Sequence, residues 1–149
     1  MQYTLSYADF KKKRTLKRYI MIKKFSHLTI LVKDIDEALK FYTEKLGLAV
    51  HTNATMPDGS RWVTVCPQGQ KDMEFALMKA TTKEELARVG TQVGQLSIGV
   101  LETDNCVKTY QELKSKGVTF HGEPKVEPWG TGVLLEDLYG NKFYLSESR

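Results

Sequence analysis

Apolar residues alternate at Leu28, Ile30 and Val32 and then fall at helical spacing at Ala38, Leu39, Tyr42 and Leu46. This change of period predicts a strand followed by a helix, with Asp34 or Asp36 as the cap and Gly47 as the stop. The same change recurs downstream, where Leu96, Ile98 and Val100 precede Val107, Tyr110 and Leu113, and Gly117 ends the run. Residues 27–44 and 95–112 align at a constant offset of 68 with seven of 18 positions identical: Leu28/Leu96, Ile30/Ile98, Val32/Val100, Asp36/Asp104, Lys40/Lys108, Tyr42/Tyr110 and Glu44/Glu112. A period this long leaves room for only two copies, so the chain reads as one supersecondary unit used twice rather than a solenoid.

The remaining elements fill in each copy. In the first, a strand over Ile22–Lys33 and a helix over Asp36–Leu46 are followed by strands at Ala49–Ala54, Arg61–Cys66 and Asp72–Lys79, with Asp58-Gly59 as a hairpin signal. Thr82 and Glu85 have the spacing of a capping box, which predicts a connecting helix over Lys83–Val89. The second copy reads as strand Gln95–Leu101, helix Asp104–Lys116, strand Val118–His121, an irregular Pro-containing stretch Gly122–Gly130, and strands Thr131–Glu136 and Lys142–Ser146. Each copy is thus β-α-β-β-β, and the fold class is α+β: module one at 22–80, a connection at 82–90 and module two at 94–147.

Because side chains alternate across a strand, the apolar set marks the face that meets the helix and the rest face away. Leu28, Ile30 and Val32 pack in the first strand; Met73, Phe75 and Leu77 in the fourth; Leu96, Ile98 and Val100 in the fifth; Phe143 and Leu145 in the last. The opposite faces then carry His27, Glu74, Gln95 and Tyr144, together with Lys142.

Charge changes the picture less than the pI near 9.0 suggests. Six basic residues and one acid lie within residues 1–20, so the chain's formal +4 leaves residues 21–149 close to neutral. A basic extension, 1–20, ahead of a domain at 21–149 is the expectation, and the near-neutral domain itself does not read as a nucleic-acid binder. No apolar run is long enough to span a membrane and no secretory apolar block opens the chain, so the reading is cytoplasmic. Cys66 and Cys106 have no CxxC spacing and read as reduced thiols.

The doubled β-α-β-β-β unit, the opening HLTILVKDIDEALKFYTEKLGL, the RWVTV strand, the EPWG segment and the closing DLYGNKFYLSE resemble the vicinal oxygen chelate superfamily, that is, the glyoxalase/bleomycin-resistance/dioxygenase proteins. The resemblance covers residues 22–147. It implies cupped mixed sheets with helices on their outer faces, a homodimer, and a small organic ligand in the cup. In metal-dependent members each module supplies a His or Gln from its first strand and a Glu from its last, which places the ligand set at His27, Glu74, Gln95 and Tyr144. Tyr144 departs from that pattern, since this chain has Gly140-Asn141-Lys142-Phe143-Tyr144-Leu145 where members end GNxxEL. A neutral phenol is a poor ligand, and Lys142 puts a positive charge beside it.

Two readings follow. The first is a small-molecule-binding protein, metal-free or weakly metal-binding, with Arg61, Trp62, Gln95, Trp129, Lys142 and Tyr144 lining the pocket. For Arg61 and Trp62 the plainer alternative is a surface cation and a core ring. The second is a lyase, isomerase or dioxygenase that binds one nickel, zinc, manganese or iron ion through His27, Glu74 and Gln95, with Glu74 as the catalytic carboxylate. The missing fourth carboxylate favours the first. His51 and His121 have no partner at metal spacing and read as surface residues.

Overall fold

The computed structural model describes residues 19–149. The expected basic extension therefore lies almost wholly outside the described residues. Module one runs β1 (His27–Val32), α1 (Ile35–Lys40), β2 (Ala49–Thr55), β3 (Arg61–Cys66) and β4 (Glu74–Lys79). A short helix, α2 (Lys83–Arg88), connects it to β5 (Ser97–Glu102), α3 (Cys106–Ser115), β6 (Thr119–Glu127), β7 (Gly130–Glu136) and β8 (Lys142–Ser148). The strands form two four-stranded mixed sheets in the orders β1-β4-β3-β2 and β5-β8-β7-β6. The first and last strands of each module pair in parallel and the other pairs are antiparallel. Among the described residues no helix is long and apolar enough to cross a membrane.

Local chemistry sets the helix ends. Asp34 Oδ1 accepts from the Glu37 amide at 2.8 Å to start α1, and Thr82 and Glu85 form the reciprocal capping box at α2. α3 is capped by Asn105, whose Oδ1 accepts from the Lys108 amide at 2.9 Å, so it begins two residues later than the sequence suggests. After Lys40 the first helix widens over Phe41–Lys45 into a turn with i→i+5 bonding, and Gly47 ends it at φ 72°.

Several strand boundaries and facings also differ from the sequence reading. β1 starts at His27 rather than Ile22: the ladder to β4 ends with the Glu74 amide donating to Ser26 O, and without a partner strand Ile22 and Phe25 stay exposed. β4 correspondingly starts at Glu74. β6 continues through Gly122 and Pro124 to Glu127, where an irregular stretch had been expected. It is an edge strand with a register shift between His121 and Lys125, and an edge tolerates a proline that cannot donate. In β5 a bulge between Ser97 and Gly99 inverts the alternation. Ile98 and Leu101 therefore pack on the core, while Leu96 and Val100 are 74% and 64% exposed.

The modules share one core. Ile30, Val32, Tyr42, Val63, Val65 and Leu77 from the first belong to the same buried cluster as Tyr110, Leu113, Val133, Leu135, Phe143 and Leu145 from the second. Phe75 and Phe143, at equivalent places in the repeat, meet with ring centroids 5.6 Å apart, and Tyr42 lies 6.3 and 6.5 Å from them. Tyr42 also donates to Asp137 Oδ2 at 2.6 Å, tying the widened turn after α1 to the β7–β8 turn. The free edge of β1 is covered by one side chain: Gln92 Oε1 accepts from the Leu31 amide at 2.9 Å and its Nε2 donates to Thr29 O at 2.8 Å.

Candidate functional site

Glu74 opens β4 directly opposite His27 on β1, and the alternation of both strands turns these side chains away from the shared core. The Glu74 carboxylate is nearly enclosed, with 9% of its side chain exposed. His51 Nδ1 lies 2.9 Å from its Oε1, and His27 Nε2 lies 3.9 Å from Oε2. The ring of His27 is held from two sides, by Ser26 Oγ at 3.0 Å from Nδ1 and by Trp62, which packs edge-on at 5.4 Å. The Thr64 hydroxyl, helped by the two histidines, keeps the Glu74 carboxyl below its ordinary range despite its burial. Oε2 is buried and accepts no hydrogen bond from the protein. Such an atom is costly to desolvate unless something meets it there.

Glu74 also lines a cleft of about 350 Å³ at the seam of the two modules, with Val65, Met73 and Phe75 on one side and Val100, Leu101 and Glu102 on the other. The volume falls in the range of small-molecule sites. Burial, and then the charge of Glu74, push the nearby Cys66 thiol above its ordinary value, so it stays protonated. Both cysteines are free and buried.

The second module repeats the arrangement with different chemistry. The offset of 68 that relates His27 to Gln95 also relates Phe75 to Phe143 and Glu74 to Lys142. Where the first sheet has an imidazole beside a carboxylate, the second has Lys142 Nζ donating to Gln95 Oε1 at 2.7 Å. Tyr144, the residue at the carboxylate place of the GNxxEL pattern, lies with its ring over Gly132, and any Cβ at 132 would collide with it. Among the described residues no hydrogen bond, ion pair or ring contact joins His27 or Glu74 to Gln95, Lys142 or Tyr144 within one chain.

These residues do not fit the four-ligand metal set. His27 Nε2 and the open Glu74 Oε2 could hold one side of an ion, but Gln95 is engaged by an ammonium. Counting by the closing pattern gives Tyr144 at the fourth place, and counting by the repeat gives Lys142. Neither is a carboxylate. Among the described residues no three His, Cys, Asp or Glu side chains come together in a way that could hold a metal ion.

The other expected residues are dispersed. Arg61 donates to Asp36 Oδ1 at 2.8 Å and to Asn53 Oδ1 at 3.1 Å, which occupies its guanidinium on the helix side. Trp62 walls His27, and Trp129 sits in the β6–β7 turn, 62% exposed. His51, read from the sequence as a surface residue without a partner, lies at the β-bulge between Val50 and Thr52 and pairs with Glu74. His121 pairs with Glu136 at 2.6 Å on the outer sheet.

The Glyoxalase/Bleomycin resistance protein/Dioxygenase superfamily model matches residues 24–145. YetH of Bacillus subtilis (strain 168) is 34% identical over 85% of this chain and 100% of its own length. Of solved structures, UcmS2 is 37% identical with a TM-score of 0.75, covering 85% of this chain and 98% of that one. TnmS3 from Streptomyces sp. CB03234, described as an antibiotic binding protein, is 26% identical with a TM-score of 0.73, over 88% of this chain and 100% of its own. With two β-α-β-β-β modules joined through one core and a family match across both of them, this chain belongs to the glyoxalase/bleomycin resistance protein/dioxygenase superfamily.

Proposed function

We propose that the protein binds a small organic molecule beside Glu74 and acts as a binder rather than as a metal-dependent lyase, isomerase or dioxygenase. The observation that carries this reading is the substitution at the fourth ligand place, which is Tyr144 or Lys142 on either way of counting, with Gln95 already bonded to Lys142. A lone carboxylate and imidazole on one sheet give a divalent ion few strong donors. The cleft at the module seam gives a ligand room, and the antibiotic-binding description of TnmS3 shows that this fold can serve a binder.

A homodimer accompanies this reading. Leu96, Val100, Val126 and Trp129 are all more than half exposed in one chain, and a second copy is the occupant that covers them while bringing its own sheet towards Glu74. Two measurements test the proposal together: metal content of protein purified without chelator, and a thermal-shift screen of drug-like compounds. The expected result is well under one metal per chain and at least one saturable stabilising ligand. One tightly held metal per chain, with turnover that disappears when it is removed and returns on its addition, would overturn it.

The enzyme reading keeps one specific support. His27 Nδ1 is held by Ser26, which aims Nε2 towards the unpartnered Glu74 Oε2. Under that reading His27 and Glu74 would be the ligands and Glu74 the proton-transfer group.

A further inference from the structure

We propose that the segment ahead of β1 binds the surface of a bilayer rich in anionic phospholipids, lying in the headgroup layer rather than crossing it. The inference goes beyond the small-molecule-binding reading and does not depend on it. Residues 11–25, KKKRTLKRYIMIKKF, carry eight Lys or Arg and no Asp or Glu, out of 22 basic residues in the whole chain. With Asp9 the first 25 residues are net +7, so the chain's formal +4 leaves −3 on residues 26–149. The positive charge therefore belongs to this segment and not to the domain behind it. Charge alone would make an ordinary solvated extension. This one is interrupted by large apolar side chains: Tyr19, Met21, Ile22 and Phe25 are each at least 80% exposed, and Ile20 is 58% exposed.

The domain does not cover these side chains. Its ladder ends at Ser26, whose carbonyl accepts from the Glu74 amide at 2.9 Å, and among the described residues no hydrogen bond or ion pair ties residues 19–25 to the rest of the fold. Lys23 and Lys24, between Ile22 and Phe25, are exposed as well. A surface that satisfies the segment must therefore offer negative charge and an apolar layer within one side chain's length of each other. The face of an anionic bilayer does so, with headgroup charges for the ammonium and guanidinium groups and the acyl boundary for the apolar ones. Tyr19 suits the level between the two. Nucleic acid would engage the cations through its phosphates but leave Ile20, Met21 and Ile22 in water, so the lipid surface is the better match. The uninterrupted apolar run is only Tyr19–Ile22, far short of the ~20 residues that span a bilayer, which keeps the contact at the surface.

The test is co-sedimentation of the full chain with two sets of vesicles, phosphatidylcholine alone and phosphatidylcholine with about one-third phosphatidylserine, at about 0.1 M salt. Partition onto the anionic set should exceed that onto the neutral set by about tenfold or more, and should fall by a similar factor at about 0.5 M salt as the charges are screened. Replacing Lys23→Ser and Lys24→Ser together should weaken binding by roughly tenfold or more. Replacing Ile22→Ser and Phe25→Ser together should do the same through the apolar contact. Leu86→Ser, which removes an exposed apolar side chain from α2, should leave binding unchanged. Near-ultraviolet circular dichroism of each variant reports folding independently of binding. No association with anionic vesicles, equal association with both sets, or binding by a folded Ile22→Ser, Phe25→Ser variant as strong as that of the unmodified chain overturns the inference. A single-stranded RNA oligonucleotide of mixed sequence is the competing probe. If it binds more tightly than the anionic vesicles in the same salt, and equally well to the apolar variant, the segment belongs to nucleic acid and the lipid assignment falls. None of these outcomes alters the small-molecule reading, which stands or falls on the metal content and the thermal-shift screen.

Discussion

Tyr42 and Tyr110 occupy the same place in the two copies of the repeat, so replacing each by phenylalanine removes the same hydroxyl from two different settings. Tyr42 is fully buried and donates to Asp137 Oδ2 at 2.6 Å, while Asp137 is itself 95% enclosed and also accepts from the side chain of Asn141 and the amides of Tyr139 and Asn141. Burial, followed by the Asp137 charge, raises the Tyr42 phenol well above its ordinary value, so it remains a donor throughout the stable pH range. Tyr42→Phe therefore takes one of four donors from a buried carboxylate and should cost about 2 kcal/mol, within the roughly 1.5–3 kcal/mol of a bond to a charged group. For a chain of this length that corresponds to a fall in Tm of about 4–8 °C.

Tyr110 in contrast accepts from Lys114 Nζ at 2.9 Å at the edge of α3, where water can replace the lost partner. Tyr110→Phe should cost no more than about 0.5 kcal/mol. Urea unfolding of both variants followed by circular dichroism measures the difference. Equal losses for the two, within about 0.5 kcal/mol, would refute the view that the Tyr42–Asp137 bond locks the modules together.

Gln92→Ala uncovers the edge of β1 by removing the bonds to Leu31 and Thr29, and should raise aggregation on heating, measured by light scattering, more than it lowers Tm; an unchanged aggregation onset would contradict the capping role. The Glu74 carboxyl titrates lower in the fold than in the unfolded chain, so its contribution to stability is present above the ordinary carboxylate range and is lost as pH falls through the lower folded value. Glu74→Gln should accordingly flatten the acid limb of the stability profile between about pH 5 and 3, read from urea midpoints at each pH. Tyr144→Glu should tighten nickel binding by about tenfold or more in calorimetric titration, with the gain lost when His27→Ala is added; no gain would place the missing donor elsewhere, Lys142 being the next position to replace. Light scattering after gel filtration at tens of micromolar should report a dimer, and a monomer would count against the shared-cup arrangement.

The architecture was legible in the sequence because it depends on periodicity, and periodicity survives local error. The switch from period 2 to helical spacing at residues 28–46 and again at 96–113 located both helices, and the offset of 68 established the doubling. The site was legible only in part. That His27 and Glu74 share one face was legible because strand alternation is strict where the ladder is regular, as it is between β1 and β4. His51, read as a surface residue, and Val100, read as core-facing, were misplaced for one physical reason, since each lies at or just beyond a bulge and a bulge shifts the alternation by one residue without a reliable mark in composition. Arg61 was placed in the pocket because a cation on a strand beside a Trp suits an anionic ligand, but an acid in the first turn of α1, Asp36, holds it.

The two copies agree where the fold needs them to and differ where a ligand would sit. Tyr42/Tyr110, Phe75/Phe143 and Leu77/Leu145 keep the same residue at the same offset, and all but Phe75, which packs against it from the partly buried side, are buried in the shared core. On the outward faces the pair His27–Glu74 becomes Gln95–Lys142, a carboxylate exchanged for an ammonium at equivalent positions of equivalent strands. A symmetric metal centre would need like donors from both copies, because a divalent ion is neutralised by carboxylates from either side. Opposite charges at those positions instead give the protein one acidic and one basic pole. At the basic pole Lys142 satisfies Gln95, whereas at the acidic pole Glu74 Oε2 is buried without a hydrogen-bond donor. On the function proposed above, this asymmetry between the copies is what would favour a binder of organic ligands over a chelator of metal ions on the same backbone.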